Sequence, residues 1–202
     1  GNLTVLETDA ITVNGNGLTT AAGDISLTTT DGAATISAVV TTTNEGTISL
    51  TAGDTDGSED DLAIGAAITA GNGKVTLTSD NGDVTFTGAG DVTTTSGEVE
   101  VTATSTNGDI TLSAGTVIDA GDDLIDFNAS LNISLGELVT TSSSNDAVNL
   151  NSTGGAIIDI GGANTDVSAA NGRLVITAET GVGSGAALET TVSSISVTNN
   201  TS

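Results

Sequence analysis

Carboxylates are almost the whole chemical repertoire of this chain. Twenty-six Asp and Glu stand against two cations, Lys74 and Arg173, for a net charge of −24, with no His, Cys or Tyr. The densest acidic stretch is TAGDTDGSEDD at 51–61, which carries Asp54, Asp56, Glu59, Asp60 and Asp61. Two further acids, Asp83 and Asp109, precede Val84 and Ile110 just as Asp61 precedes Leu62. Oxygen-only ligands in a flexible loop suit calcium, which takes six to eight oxygens. Asp61, Asp83, Asp109, Asp54, Asp56 and Glu59 are therefore the candidate metal ligands, with calcium as the cofactor they would hold. The competing reading is a solvated acidic face that aids solubility. The loop departs from the EF-hand pattern, because Gly57 comes too early, and the GGxGxDxUx calcium repeat is absent.

Catalysis has little to work with. Nucleophile, base and electrophile roles usually fall to His, Cys, Tyr or clustered Lys and Arg. Lys74 and Arg173 occupy the same position of a repeat four coils apart, about 19 Å by coil spacing, so they cannot share a site. The expectation is a protein that is not an enzyme; a carboxylate-only site acting on polysaccharide remains an alternative on fold analogy. The negative field repels phosphate backbones and anionic lipid headgroups, which excludes nucleic acid as a partner. No stretch approaches 18 consecutive apolar residues, so no membrane insertion is expected. The chain opens on Gly1 and contains no Met, which reads as a processed chain or a piece of something larger.

What must position these acids is a phrase repeated along the whole chain. It reads NLTV at 2–5, GDISL at 23–27, GTISL at 46–50, GKVTL at 73–77, GEVEV at 97–101, LIDF at 124–127, DAVNL at 146–150, GRLVI at 172–176 and SSISV at 193–197. Nine copies at about 24-residue spacing are a solenoid signature. Each period holds three short strand signals, the phrase itself and two followers. The second series is ITV at 11–13, ATI at 34–36, LAI at 62–64, VTF at 84–86, ITL at 110–112, ISL at 133–135 and IDI at 158–160. The third runs from LTTA at 18–21 to VSA at 167–169 and LET at 188–190. Asn-Gly pairs at 72–73, 81–82, 107–108 and 171–172, with Asp31-Gly32 and Gly161-Gly162, mark corners and are expected to supply positive φ. Such pairs also favour hairpins, but like positions recur at the full period and not at every strand, which favours parallel coils over an antiparallel meander.

The predicted architecture is an all-β, right-handed parallel β-helix of about nine coils, three strands per coil, running as one continuous segment over 1–202. One core column is Leu3, Ile25, Ile48, Val75, Val99, Ile125, Val148, Leu174 and Ile195; its neighbour is Val5, Leu27, Leu50, Leu77, Val101, Phe127, Leu150, Ile176 and Val197. Phe86 and Phe127 fall in inward columns. Thr runs at 28–30, 41–43 and 93–95 read as ordinary outward strand composition. Lys74, outward beside Glu98 one coil on, is expected to form an exposed ion pair. Neither end carries a capping element, so both end strands expose edges that further chain or another subunit would cover.

Gly, Asn and Asp corners between GxIxL, NGDVTF and VTTT strands, with few aromatics and no cysteine, resemble the β-helical shafts of filamentous-haemagglutinin-type exoproteins and related giant bacterial surface adhesins. The resemblance covers the whole chain and implies a stalk, adhesive surface or filament outside the cell. The family's amino-terminal secretion domain is not recognisable in these residues. The expected function is structural and adhesive, extracellular or at the cell surface, with self-association end to end or continuation of the same chain. The alternative is a module binding calcium, a cell-surface glycan or a receptor on the same scaffold.

Overall fold

Alternating aliphatic and polar residues in runs of three to five give strands with one buried face, and those faces close on one another as a parallel β-solenoid. The computed structural model describes residues 1–161, 164–183 and 186–200, and none of these is helical. Two parallel sheets form, one of 15 strands and one of eight. The eight-stranded sheet stacks the second strand of every coil, from Ile11–Val13 to Gly181–Val182. The larger sheet contains both other faces, because the long strand Val167–Ala178 serves as the third strand of one coil and the first of the next.

The solenoid has about eight turns. Its ninth phrase contributes only a leading strand, within Thr190–Asn199, which pairs along Val167–Ala178. Both core columns run unbroken through all nine phrases: Leu3 pairs with Ile25, Ile25 with Ile48, and so on to Leu174 with Ile195, while Val5 heads the parallel series ending in Val197. The interior members of these columns are sealed: Ile25, Leu50, Leu77, Val101 and Phe127 are at most 1% exposed, and Phe86 likewise. Burial of each such side chain contributes roughly 1.5–3 kcal/mol.

Three expectations need correction. The second strand of the seventh coil is Ala156–Asp159, not 158–160; Ile157 pairs with Ile133 and Asp159 with Leu135, so Asp159 points inward and Ile160 lies outside. The third strand of the eighth coil begins at Thr190, which pairs with Val167, so 188–189 belong to the corner before it. The Thr runs are not wholly outward. Thr29, Thr42 and Thr94 are buried and donate to the carbonyls of Gly32, Gly46 (2.7 Å) and Gly97 (2.5 Å), tying each corner from inside.

Of the corner glycines, Gly32 and Gly161 have the expected positive φ, at 156° and 86°, but those of the Asn-Gly pairs serve a different end. None of Gly73, Gly82, Gly108 and Gly172 has positive φ. At Gly73, Gly82 and Gly172 the preceding coil approaches too closely for a Cβ, which at Gly73 would lie 2.0 Å from the Gly46 carbonyl oxygen, as at Gly97 it would lie 2.0 Å from that of Gly73; at Gly108 it would meet Ala103 of its own coil. The G of GxIxL is thus a stacking column, glycine on glycine, from Gly1 through Gly23, Gly46 and Gly73 to Gly97.

Candidate functional site

The corner between first and second strands is where the acids collect. In the second and fourth coils it takes four residues, 30–33 and 80–83; in the third it takes nine, 53–61. That insertion is tied down by its own carboxylates. Asp54 Oδ1 accepts from the backbone N–H of Asp56 (2.9 Å) and Gly57 (2.8 Å), and Asp56 Oδ1 accepts from that of Ser58 (2.8 Å). These are the local turns that Asp favours. The Asn81 side-chain amide donates to Asp54 Oδ2 (2.6 Å) and to the Ser58 carbonyl (2.9 Å), fixing the insertion against the coil above. Hydrogen bonds from the Ser58 side chain and backbone hold the exposed Asp56 carboxyl below its ordinary range.

Asp61, Asp83 and Asp109 do stand one above another, each just before paired residues Leu62, Val84 and Ile110. Their oxygens meet backbone, however. Asp61 Oδ1 accepts from the N–H of Asp83 (2.8 Å), Asp83 Oδ1 from that of Asp109 (2.8 Å), and Asp109 Oδ1 from that of Asn132 (2.6 Å). Asn132 continues the series, its Oδ1 accepting from Ala156 N–H at 2.9 Å. The column is a side-chain ladder that caps amides along one corner of the solenoid. Burial pushes the Asp83 carboxyl up, the bond from Asp109 N–H opposes this, and the charges of Asp109, Asp61 and Glu59 add to the rise. Asp61 and Asp109 are two coils apart, roughly 9–10 Å by strand spacing. That exceeds the roughly 5 Å that separates opposite ligands of one calcium ion, so the three cannot share one.

Two trios of carboxylates do converge among the described residues, each with one oxygen per residue within 4.8 Å of the others: Asp31, Asp54 and Asp60, and Asp159, Asp166 and Glu189. Of the six ligands expected from the sequence, only Asp54 belongs to either. In the first trio, Asp31 comes from the second coil, where its Oδ1 accepts from Thr55 N–H at 3.1 Å. Asp60 is 8% exposed, and its Oδ2 is buried with no hydrogen-bond partner among the described residues. Burial pushes its carboxyl above the usual range, and the charges of Asp54, Asp31, Asp56 and Asp61 push it further.

The second trio follows from the register of Ala156–Asp159. Asp159, turned inward, and Asp166 are 7% and 6% exposed and face a cavity of about 210 Å³ walled also by Leu135, Gly136 and Asn164. Both are satisfied: Asp159 Oδ1 accepts from Gly161 N–H (2.6 Å) and Asp166 Oδ2 from Glu189 N–H (2.8 Å). Burial raises the Asp166 carboxyl, the Glu189 amide opposes the rise, and the Asp159 and Glu189 charges support it. Asp31, Asp159, Asp166 and Glu189 were not singled out as ligands by sequence. A weak signal existed for Asp166 and Glu189, which stand in equivalent places immediately before paired strand residues Val167 and Thr190.

Lys74 forms the expected ion pair with Glu98 (2.9 Å) and a second with Glu100 (2.7 Å). Burial alone would lower its ammonium, but the hydrogen bonds and charges of Glu100 and Glu98 carry it above its ordinary value. Arg173 donates through Nε to the Asn145 carbonyl. Both basic side chains of the protein are therefore committed away from the two trios. Comparison of the chain with family models, curated proteins and solved structures finds no match.

Proposed function

We propose that this chain is a length of right-handed β-helical shaft: a non-enzymatic structural or adhesive element of a secreted or surface-exposed bacterial protein, working by extension. The observation that carries the reading is the continuity of both apolar columns from Leu3 and Val5 to Ile195 and Val197. The last strand presents Ile195 and Val197 about half exposed, 52% and 48%, on an edge with one paired side. Such an edge invites another coil, whether from the same chain or from a second copy placed head to tail. A right-handed path is favoured because parallel crossovers take that hand almost without exception. Nine stacked strands span roughly 40 Å at about 4.8 Å each, so length scales directly with added coils.

The reading is tested by sedimentation and negative-stain microscopy of the 202-residue chain over rising concentration. The expected result is end-to-end rods, abolished by Val197→Lys while the interior coils keep their melting transition. Compact monomers at every concentration, with protease cutting confined to the two end strands, would remove the end-to-end reading.

A further inference from the structure

We propose that Asp31, Asp54 and Asp60 form a calcium site that staples the long corner of the third coil to the second coil. Acidic clusters are common on surfaces and carry nothing alone. What sets this one apart is Asp60, a carboxylate more than nine-tenths buried whose Oδ2 meets no donor among the described residues. Every other carboxylate described above as buried has an amide for it. An unpartnered buried charge is costly, and folds that keep one neutralise it with a proton or a bound cation.

Cation chemistry fits the geometry. The trio's oxygens lie within 4.8 Å of one another. Calcium holds oxygen ligands at about 2.3–2.6 Å, so two ligands of one ion are separated by at most about 5 Å. The group therefore closes on calcium with little rearrangement. Magnesium, at about 2.0–2.1 Å in strict octahedral geometry, would demand a tighter set. With no His or Cys in the chain, softer transition metals have no preferred ligand.

Ligand capacity is also present. Asp60 can offer both oxygens, Asp31 keeps the oxygen not used by Thr55, and Asp54 Oδ2 retains a lone pair beside its bond from Asn81, while Oδ1 is filled by the Asp56 and Gly57 amides. Water and carbonyls of the exposed 55–59 stretch complete the shell. Protein cations do not compete, since Lys74 is held by Glu98 and Glu100 and Arg173 lies by Asn145. The ion would join two coils at the longest of the corners between first and second strands. This site is independent of whether the chain extends end to end.

The test uses the full chain, with calcium chloride or magnesium chloride as probe at constant ionic strength, followed by equilibrium dialysis and thermal melts. At about 5 mM calcium, above the roughly 10⁻⁴–10⁻³ M constants of weak extracellular sites, one ion per chain and a melting temperature several degrees higher are expected. Asp60→Asn should weaken binding at least about tenfold and remove the rise, because ligand charge sets affinity. Asp31→Asn should do the same and stands in if the first variant folds poorly. The ladder variant Asp61→Asn with Asp83→Asn should keep both binding and rise. Calcium indifference of the wild type, a rise that survives both Asp60→Asn and Asp31→Asn, its loss in the ladder variant alone, or an equal response to magnesium would each overturn the assignment.

Discussion

Asp60 and Asp61 are chain neighbours, yet the fold treats them in opposite ways. Asp61 is exposed and hands an oxygen to the Asp83 amide one coil on; Asp60 is turned inward with an oxygen that meets no donor among the described residues. The alternation of the strand that follows decides this, since Asp60, Leu62 and Ile64 are buried while Asp61 and Ala63 are not. Asp61, Asp83 and Asp109, each just before a second strand, find the next coil's amide within reach, because parallel strands repeat every 4.7–4.9 Å or so. Asp60, on the inner rank, has an oxygen that finds only core and other acids among the described residues. Residue type therefore says less about role here than phase within the coil.

The comparison breaks most violently in the core, where an inner-rank carboxylate has no corner, water or cation to answer it. Leu77 is fully buried in its column, between Leu50 and Val101. Leu77→Asp should cost more than about 3 kcal/mol, if the fold survives, whereas Thr76→Asp on the outward rank should stay within about 0.5 kcal/mol. Thermal melts in chelator check this. Equal and small shifts for both would mean that inward and outward ranks do not differ as the register says.

A smaller effect separates the ladder's two contributions, hydrogen bonding and charge. Asp83→Ala removes the acceptor for the Asp109 amide, with an expected loss of about 1 kcal/mol. Asp83→Asn keeps an acceptor oxygen and relieves repulsion from Asp61 and Asp109, so it should melt within a degree or two of wild type or above it. The molecule makes this substitution itself, with Asn132 next in the same column. If Asn proves as damaging as Ala, the ladder depends on negative charge and the column has to be reconsidered as an ion-binding feature.

Much of the fold was legible because its signal is periodic: every pairing in the two main columns could be read from the spacing of aliphatics. Failure came where phase was ambiguous. In AIIDI at 156–160, three Ile allow two registers, and the structure takes the one that turns Asp159 inward. The Asn-Gly corners were legible as corners but not in mechanism, since close approach of stacked backbones leaves no trace in a single coil. The Asp31, Asp54 and Asp60 trio was the least legible feature. Its members belong to different coils and meet only because the insertion folds back on the corner below, a contact with no period to reveal it.

The smallest expected effect concerns a third way of handling acids, pairing with a cation of the chain's own. Lys74 bridges Glu98 and Glu100, but all three side chains keep between 28% and 39% of their surface in water. Solvent there screens the attraction and also solvates whichever charge is left behind, unlike the buried oxygen of Asp60. Lys74→Gln should therefore cost no more than about 0.5 kcal/mol, and that difference should shrink further as salt rises. Two glutamates facing an amide would repel one another only weakly at this exposure. A loss approaching that of Asp83→Ala, persisting at high salt, would show that this pair organises its face of the solenoid as firmly as the amide ladder does, and exposure would then no longer separate the carboxylates that matter from those that do not.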